Sequence, residues 1–181
     1  MTALKTRTNA TQLGEPGRKV TAKSYPATRS GISLEHMTLN IQVVVDCKNP
    51  HELADWWAET LEWTVEPQDE DFIRSMIRKG YATEDQTITH NGKLVWAEGC
   101  AIVPAEDKDP KTGRRILFQT DPNPKSVKNR VHWDVRLDGR DKDVVRKELE
   151  ARGATHLWTA SQGPHEWHTM ADPEGNEFCI S

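Results

Sequence analysis

The hydrophobic pattern of this chain starts twice, and that repetition constrains the fold more than any other feature. From Met37 to Asp46 (MTLNIQVVVD) the residues alternate, with Leu39, Ile41, Val43 and Val45 on one face and Asn40, Gln42 and Val44 on the other. A period of two is the mark of a half-buried strand. The next segment, NPHELADWWAETLEW, has a helix start built in: Asn49 is placed to cap, Pro50 suits the first helical position, and Glu52 lies three residues after the cap. Leu53, Trp56, Trp57 and Leu61 then recur at helical spacing. After a linker with two prolines (DPNPKSVKN, Asp121 to Asn129) the order begins again. Val131, Trp133 and Val135 alternate with His132, Asp134 and Arg136, and a helix is predicted over Lys142–Arg152 with Gly153 as its stop.

Between these landmarks the first half holds a second short helix, Asp69–Lys79, closed by Gly80. Strands are predicted at Lys93–Trp96, Cys100–Val103 and Arg115–Thr120. The second half repeats the set at Thr155–Trp158, Glu166–Met170 and Glu177–Ile180, with the turn Asp172-Pro173-Glu174-Gly175-Asn176 before the last strand. The chain thus reads as an α+β fold of two βαβββ modules, at about 37–120 and 130–181. Aligning the two first strands sets Asn40 opposite His132 and Gln42 opposite Asp134. The apolar strand face is expected against the helix. The polar face lines a shared cup if the two sheets curl toward each other, and meets water if they stay open.

Composition removes several classes. The 181 residues fit one ordinary domain or two small modules sharing a core. Only 35% are apolar, and no run approaches the roughly 18 residues that a membrane-spanning helix needs. Seven tryptophans, all between Trp56 and Trp167, supply bulk for a core. A formal charge of -4 argues against nucleic acid as a partner. Residues 1–30 carry six Lys or Arg against Glu15 alone and contain no Trp, Phe, Ile or Cys. Residues 1–36 are therefore expected to be a flexible basic tail, and the domain to occupy 37–181; deleting the tail is expected to leave the melting temperature nearly unchanged. Three cysteines without a C-x-x-C pair fit neither a disulfide framework nor a four-cysteine zinc site, and point to the cytoplasm. No Gly-rich phosphate loop, nucleophile elbow or basic aromatic stripe is present.

Several segments resemble the glyoxalase-like branch of the vicinal oxygen chelate superfamily: LVW (Leu94–Trp96) with CAIV (Cys100–Val103), RRILFQ (Arg114–Gln119), KNRVHWDV (Lys128–Val135) and ADPEGNEFCIS (Ala171–Ser181). The likeness covers about residues 37–181. It implies two βαβββ modules joined into a cupped, mostly antiparallel sheet with helices outside. Metal-dependent members bind a divalent ion through the first and last strands of each module, including a first-strand His and a last-strand Glu. Their activities include isomerisation, epimerisation, extradiol cleavage and thiol addition to epoxides; other members sequester drugs without a metal. The resemblance sets the four ligand positions on Asn40, Gln119, His132 and Cys179, the last where the Glu usually stands. One imidazole, one thiol and two neutral amide oxygens make a poor nest for a hard divalent ion, so no cofactor is assigned and a divalent metal, zinc at a Cys–His pair included, is disfavoured.

The candidate catalytic pair is His132 with Asp134, since a carboxylate one step along the same strand face can orient an imidazole for proton transfer. Asn40 and Gln119 are candidates to hold substrate oxygens, and Arg136 to clamp an anion. Glu177 and Cys179 share the last strand's face, Cys179 reading either as a reactive thiol or as a buried small hydrophobe. Trp96 and Trp167 are candidates for an aromatic wall, whereas Trp56, Trp57 and Trp133 read as core. His165 and His168, spaced H-x-x-H on a strand, fall on opposite faces and read as surface or mouth residues. The leading expectation is an enzyme of lyase or isomerase type moving protons on a small oxygen-rich substrate. The alternative is a metal-free small-molecule-binding protein of the bleomycin-resistance type, and a third reading is a non-catalytic domain docking through its basic tail. The expected partner is a small molecule, not nucleic acid or membrane, and a homodimer stays open.

Overall fold

A computed structural model describes residues 41–107 and 114–181. The chain divides into a unit of residues 1–38 and a compact unit of residues 39–181. The tail and Asn40 lie outside the described residues. In chain order the elements are β1 (Val43–Cys47), α1 (Pro50–Leu61), β2 (Thr64–Val65), α2 (Glu70–Arg78), β3 (Thr87–His90), β4 (Lys93–Trp96), β5 (Gly99–Val103) and β6 (Ile116–Thr120). There follow β7 (Trp133–Val135), α3 (Lys142–Ala151), β8 (Thr155–Gln162), β9 (His165–Ala171) and β10 (Glu177–Ile180).

The duplication holds at the level of topology. One four-stranded sheet has the order β1-β6-β5-β2 and the other β7-β10-β9-β8. In each, the first and last strands of the module run parallel and the other neighbours antiparallel. This is the βαβββ arrangement made twice in one α+β fold.

One strand assignment needs correction. Lys93–Trp96 belongs to neither four-stranded sheet; as β4 it pairs with β3 in a separate hairpin. Asn91 and Gly92 form its turn with φ of 48° and 77°, the left-handed pair that suits a two-residue hairpin and favours local pairing. The first module's second strand is instead β2, whose two residues are too few to show an alternation. The segment α2-β3-β4 is thus an insertion between β2 and β5. Its helix is capped by Asp69, which accepts from the Phe72 N–H, and stopped at Gly80 with φ of 74°.

The α1 start also differs from expectation. The Asn49 side chain makes no cap hydrogen bond. The Glu174 carboxylate of the second module accepts from the Lys48 and Asn49 backbone N–H groups at 2.7 and 2.8 Å instead. A carboxylate at a helix N-terminus satisfies otherwise orphaned donors and complements the helix dipole.

One core serves both modules. Trp57 packs edge-on against Trp133 and Phe178, with ring centroids 4.6 and 4.9 Å away. The Trp56 indole N–H donates to the Arg152 carbonyl, and the Arg152 guanidinium donates back to the Trp56 carbonyl at 2.7 Å and lies over the ring. Trp57, Phe118, Phe178, Ile102, Met170 and Ile180 are fully buried. The expectation that Trp56, Trp57 and Trp133 belong to the core holds.

Candidate functional site

Strand alternation decides which side chains leave the core. In the second module Trp133, Val135, Phe178 and Ile180 pack on the helix side, so their neighbours His132, Asp134 and Cys179 emerge on the other face. Val131 departs from the expected pattern: it is 79% exposed rather than helix-packed, since β7 begins only at Trp133. Register then aligns a row across four strands, Asp134 with Cys179, Cys179 with Thr169, and Thr169 with Trp158.

The polar groups converge. Ligand-type atoms of His132, Asp134 and Cys179 all lie within 4.8 Å of one another, and His132 Nε2 is 3.6 Å from Asp134 Oδ1. They line a cavity of about 890 Å³ that also receives Arg136, Lys142, His165 and Trp167. Lys142 forms an ion pair with Glu166 at 2.9 Å. Cys179 is buried beside the Thr169 hydroxyl at 3.6 Å. Burial pushes its thiol above the ordinary range and the Asp134 charge acts the same way, outweighing the Thr169 hydrogen bond. That direction opposes an activated thiolate and fits the reading of a buried small residue.

Other expected site residues sit elsewhere. Gln119 is exposed on β6 in register with Asp46 and lines neither of the two cavities that His132 lines, so the expectation of a cavity shared by His132 and Gln119 is corrected. Its strand belongs to the first module's sheet, whose seam with the second is lined by β1 instead. Trp96 likewise lines neither of those cavities. Its backbone is pinned in the inserted hairpin, the N–H donating to Gln68 Oε1 at 2.8 Å and the carbonyl bonded to His51 Nε2 at 2.8 Å. Glu177 lies beside the site, but both of its carboxylate oxygens are engaged, by Lys125 at 3.0 Å and by the Asn129 N–H at 3.0 Å. Burial alone would raise its pKa; those donors prevail and hold it below the usual glutamate range. It ties the linker to β10.

His165 lines the cavity mouth, whereas His168 is 4% exposed and hydrogen-bonded on the helix side of the sheet, not a surface residue. Trp158 and Thr169 share the site's face without having been singled out. Their only sequence signal is alternation along β8 and β9, and a register shift between His156 and Trp158 scrambles it.

A second cavity of about 280 Å³ lies at the seam between the modules, where Val44 and Asp46 of β1 meet His132, Trp133, Phe178 and Trp57. Its floor includes Asp172, a buried carboxylate that accepts from the Trp57 indole at 3.1 Å and from the Asn176 and Glu174 N–H groups. Burial raises its pKa, against those hydrogen bonds.

Among the described residues, the ligand atoms of this cluster do not fit the hard divalent ion of metal-dependent relatives. The cluster offers one imidazole, one carboxylate on a 67% exposed side chain, and a thiol held in its protonated form. Hard ions select several oxygen donors, and a thiol binds only after losing its proton.

Comparison with known proteins agrees with the topology. The family model of the glyoxalase-like domain matches residues 42–181. No curated protein matches the sequence. The fosfomycin resistance protein FosX from Mesorhizobium loti is structurally similar at a TM-score of 0.51 and 6% identity, over 80% of this chain and 90% of that one. FosX from Listeria monocytogenes gives 0.50 and 9%, over 80% and 92%. A protein from Agrobacterium tumefaciens, solved by NMR, gives 0.50 and 13%, over 80% and 96%. At these identities the likeness is one of fold. With most of the chain matched by the family model and the βαβββ topology made twice, the chain belongs to the glyoxalase-like domain family.

Proposed function

We propose that this protein is a cytoplasmic enzyme of lyase or isomerase type that moves a proton on a small oxygen-rich substrate, with His132 as the acid/base group and no resident metal ion. The observation that carries the reading is the convergence of His132, Asp134 and Cys179 within 4.8 Å on the wall of a cavity holding cationic and aromatic side chains. Asp134 Oδ1, 3.6 Å from His132 Nε2, is placed to orient the imidazole for proton transfer. Arg136 makes no ion pair among the described residues and points the reading toward a substrate with an anionic or carbonyl oxygen. Trp167 supplies a flat apolar wall, and Cys179 a compact floor.

The test is a thermal-shift screen of small carbonyl and carboxylate compounds, followed by NMR of proton exchange into any hit from deuterated water. Ligand bound to the folded state raises the melting temperature. A hit is expected to exchange a carbon-bound proton, and His132→Ala is expected to slow that exchange by about 100-fold or more, the usual scale of a lost general base. Exchange unaffected by His132→Ala would overturn the assignment. Elemental analysis checks the metal: about one equivalent of zinc, iron, manganese or nickel, lost in His132→Ala, would restore a chelating enzyme.

A second reading is favoured by the seam cavity, whose walls include Val44, Trp57, Trp133 and Phe178. It is sequestration of an aromatic molecule without turnover. Hits that bind but show no exchange would select it.

A further inference from the structure

On the opposite face of the second sheet, three side chains form a relay that the His132 site does not use. Asp143 Oδ1 on α3 is 3.1 Å from His168 Nε2, and His168 Nδ1 is 2.8 Å from Thr159 Oγ1. His156 Nε2 lies 3.2 Å from the same hydroxyl. His168 is 4% exposed, whereas Thr159 is exposed on β8, an edge strand.

Chemistry sets the polarity of the relay. A carboxylate only accepts, so the neutral His168 ring carries its proton on Nε2 and presents the Nδ1 lone pair to Thr159. The Thr159 hydroxyl donates there. With that proton committed, His156 Nε2 donates to Thr159 Oγ1. Arg146 Nε lies 3.8 Å from Asp143 Oδ1 on the same helix.

Backbone geometry builds this arrangement. His156 and Thr159 are three apart, so an unbroken strand would send them to opposite faces. The register shift between His156 and Trp158 leaves Leu157 as an extra residue, pairing His156 with Met170 and Thr159 with His168. Met170 and His168 are two apart and share the helix-side face, and therefore so do His156 and Thr159. Bulges at sheet edges commonly re-aim side chains beside sites of chemistry.

We propose that Thr159 is an activated nucleophile that accepts acyl groups from small activated esters, with His168 as its base and Asp143 as the group orienting His168. Thr159 Oγ1 bonds the ester carbonyl carbon while its proton passes to His168 Nδ1 and the carbonyl π pair moves onto the carbonyl oxygen, from which it re-forms the double bond in the next step. The carbon–oxygen bond to the leaving group then breaks, and the departing alkoxide takes that proton as an alcohol. Water repeats the sequence to release the carboxylic acid and restore the hydroxyl. His156 stabilises the charge developing on Oγ1.

The experiment uses the full chain with p-nitrophenyl acetate, following nitrophenolate release and, after acid quench, the intact mass and the acetylated peptide. The expected result is one acetyl group on Thr159. Thr159→Val should lose that adduct and slow release by about ten-fold or more, and Thr159→Ser should retain both. Asp143→Asn, a change at a 61% exposed side chain, should slow release similarly by reversing the His168 tautomer, and it decides the matter should Thr159→Val fail to fold. Release at the wild-type rate in a folded Thr159→Val or in Asp143→Asn, or acetyl found on another residue, overturns the proposal.

Discussion

Asp172 concentrates more structural work than its place in a surface-type turn signal suggests. At 3% exposed, it closes the D-P-E-G-N turn through the Glu174 and Asn176 N–H groups and reaches across to the Trp57 indole. The same carboxylate therefore joins the second module's last turn to the first module's helix. Asp172→Ala would strand buried donors, each costing about 1–3 kcal/mol, so a loss of about 3 kcal/mol is expected in urea denaturation. A change under about 1 kcal/mol would show that water replaces the carboxylate. Its neighbour Glu177 illustrates a limit at this scale. Residue type and strand face made it a candidate to hold substrate, but Lys125 and Asn129 already occupy its oxygens. Identity and spacing do not reveal which partner a long side chain meets.

Elements here are punctuated locally and seated by tertiary contacts. α2 and α3 carry their own caps, Asp69 and Asp141, whose side chains accept from the first-turn N–H groups. α1 takes its N-terminal acceptor from Glu174, more than a hundred residues away. Removing it in Glu174→Ala should cost about 1 kcal/mol, the scale of a lost cap, read as a lowered melting temperature. Asn49→Ala should cost clearly less, because that side chain makes no cap bond. Equal losses in the two variants would contradict the inter-module cap. The hairpin β3-β4 shows the same division. Its Asn-Gly turn is a local signal, while its separation from the main sheet depends on a two-residue strand, β2, taking the place beside β5.

The two modules close on a single core, and its cysteines report on that closure. Cys47, Cys100 and Cys179 are all free and buried. Burial, with nearby carboxylates adding to it, pushes the Cys47 thiol up to about 12 and Cys100 to about 11. In the unfolded chain these thiols ionise near the ordinary thiol value of 9.0, so stability present below that pH should be lost as pH rises toward 11 and 12. Labelling by a thiol reagent at pH 7 to 8 should accordingly be slow in the native protein and reach three equivalents on unfolding. Rapid native labelling at one equivalent would mean that a thiol is reactive after all. No helix among the described residues is long and apolar enough to cross a membrane, as the lack of long apolar runs implies. From sequence alone, the alternation at Val131–Leu137, the stripe from Leu53 to Leu61 and the restart after the proline linker determined two βαβββ modules, and the placement of His132 and Asp134 on one face. Those are periodic, local properties of the chain. Only the tertiary structure decided that Cys179, Thr169 and Trp158 join that face, that Gln119 and Trp96 do not join His132, and that Asp172 and Glu174 clamp α1. Strand register, a one-residue bulge and contacts between distant segments govern these outcomes, and a shift of one residue sends a side chain to the other face of the sheet.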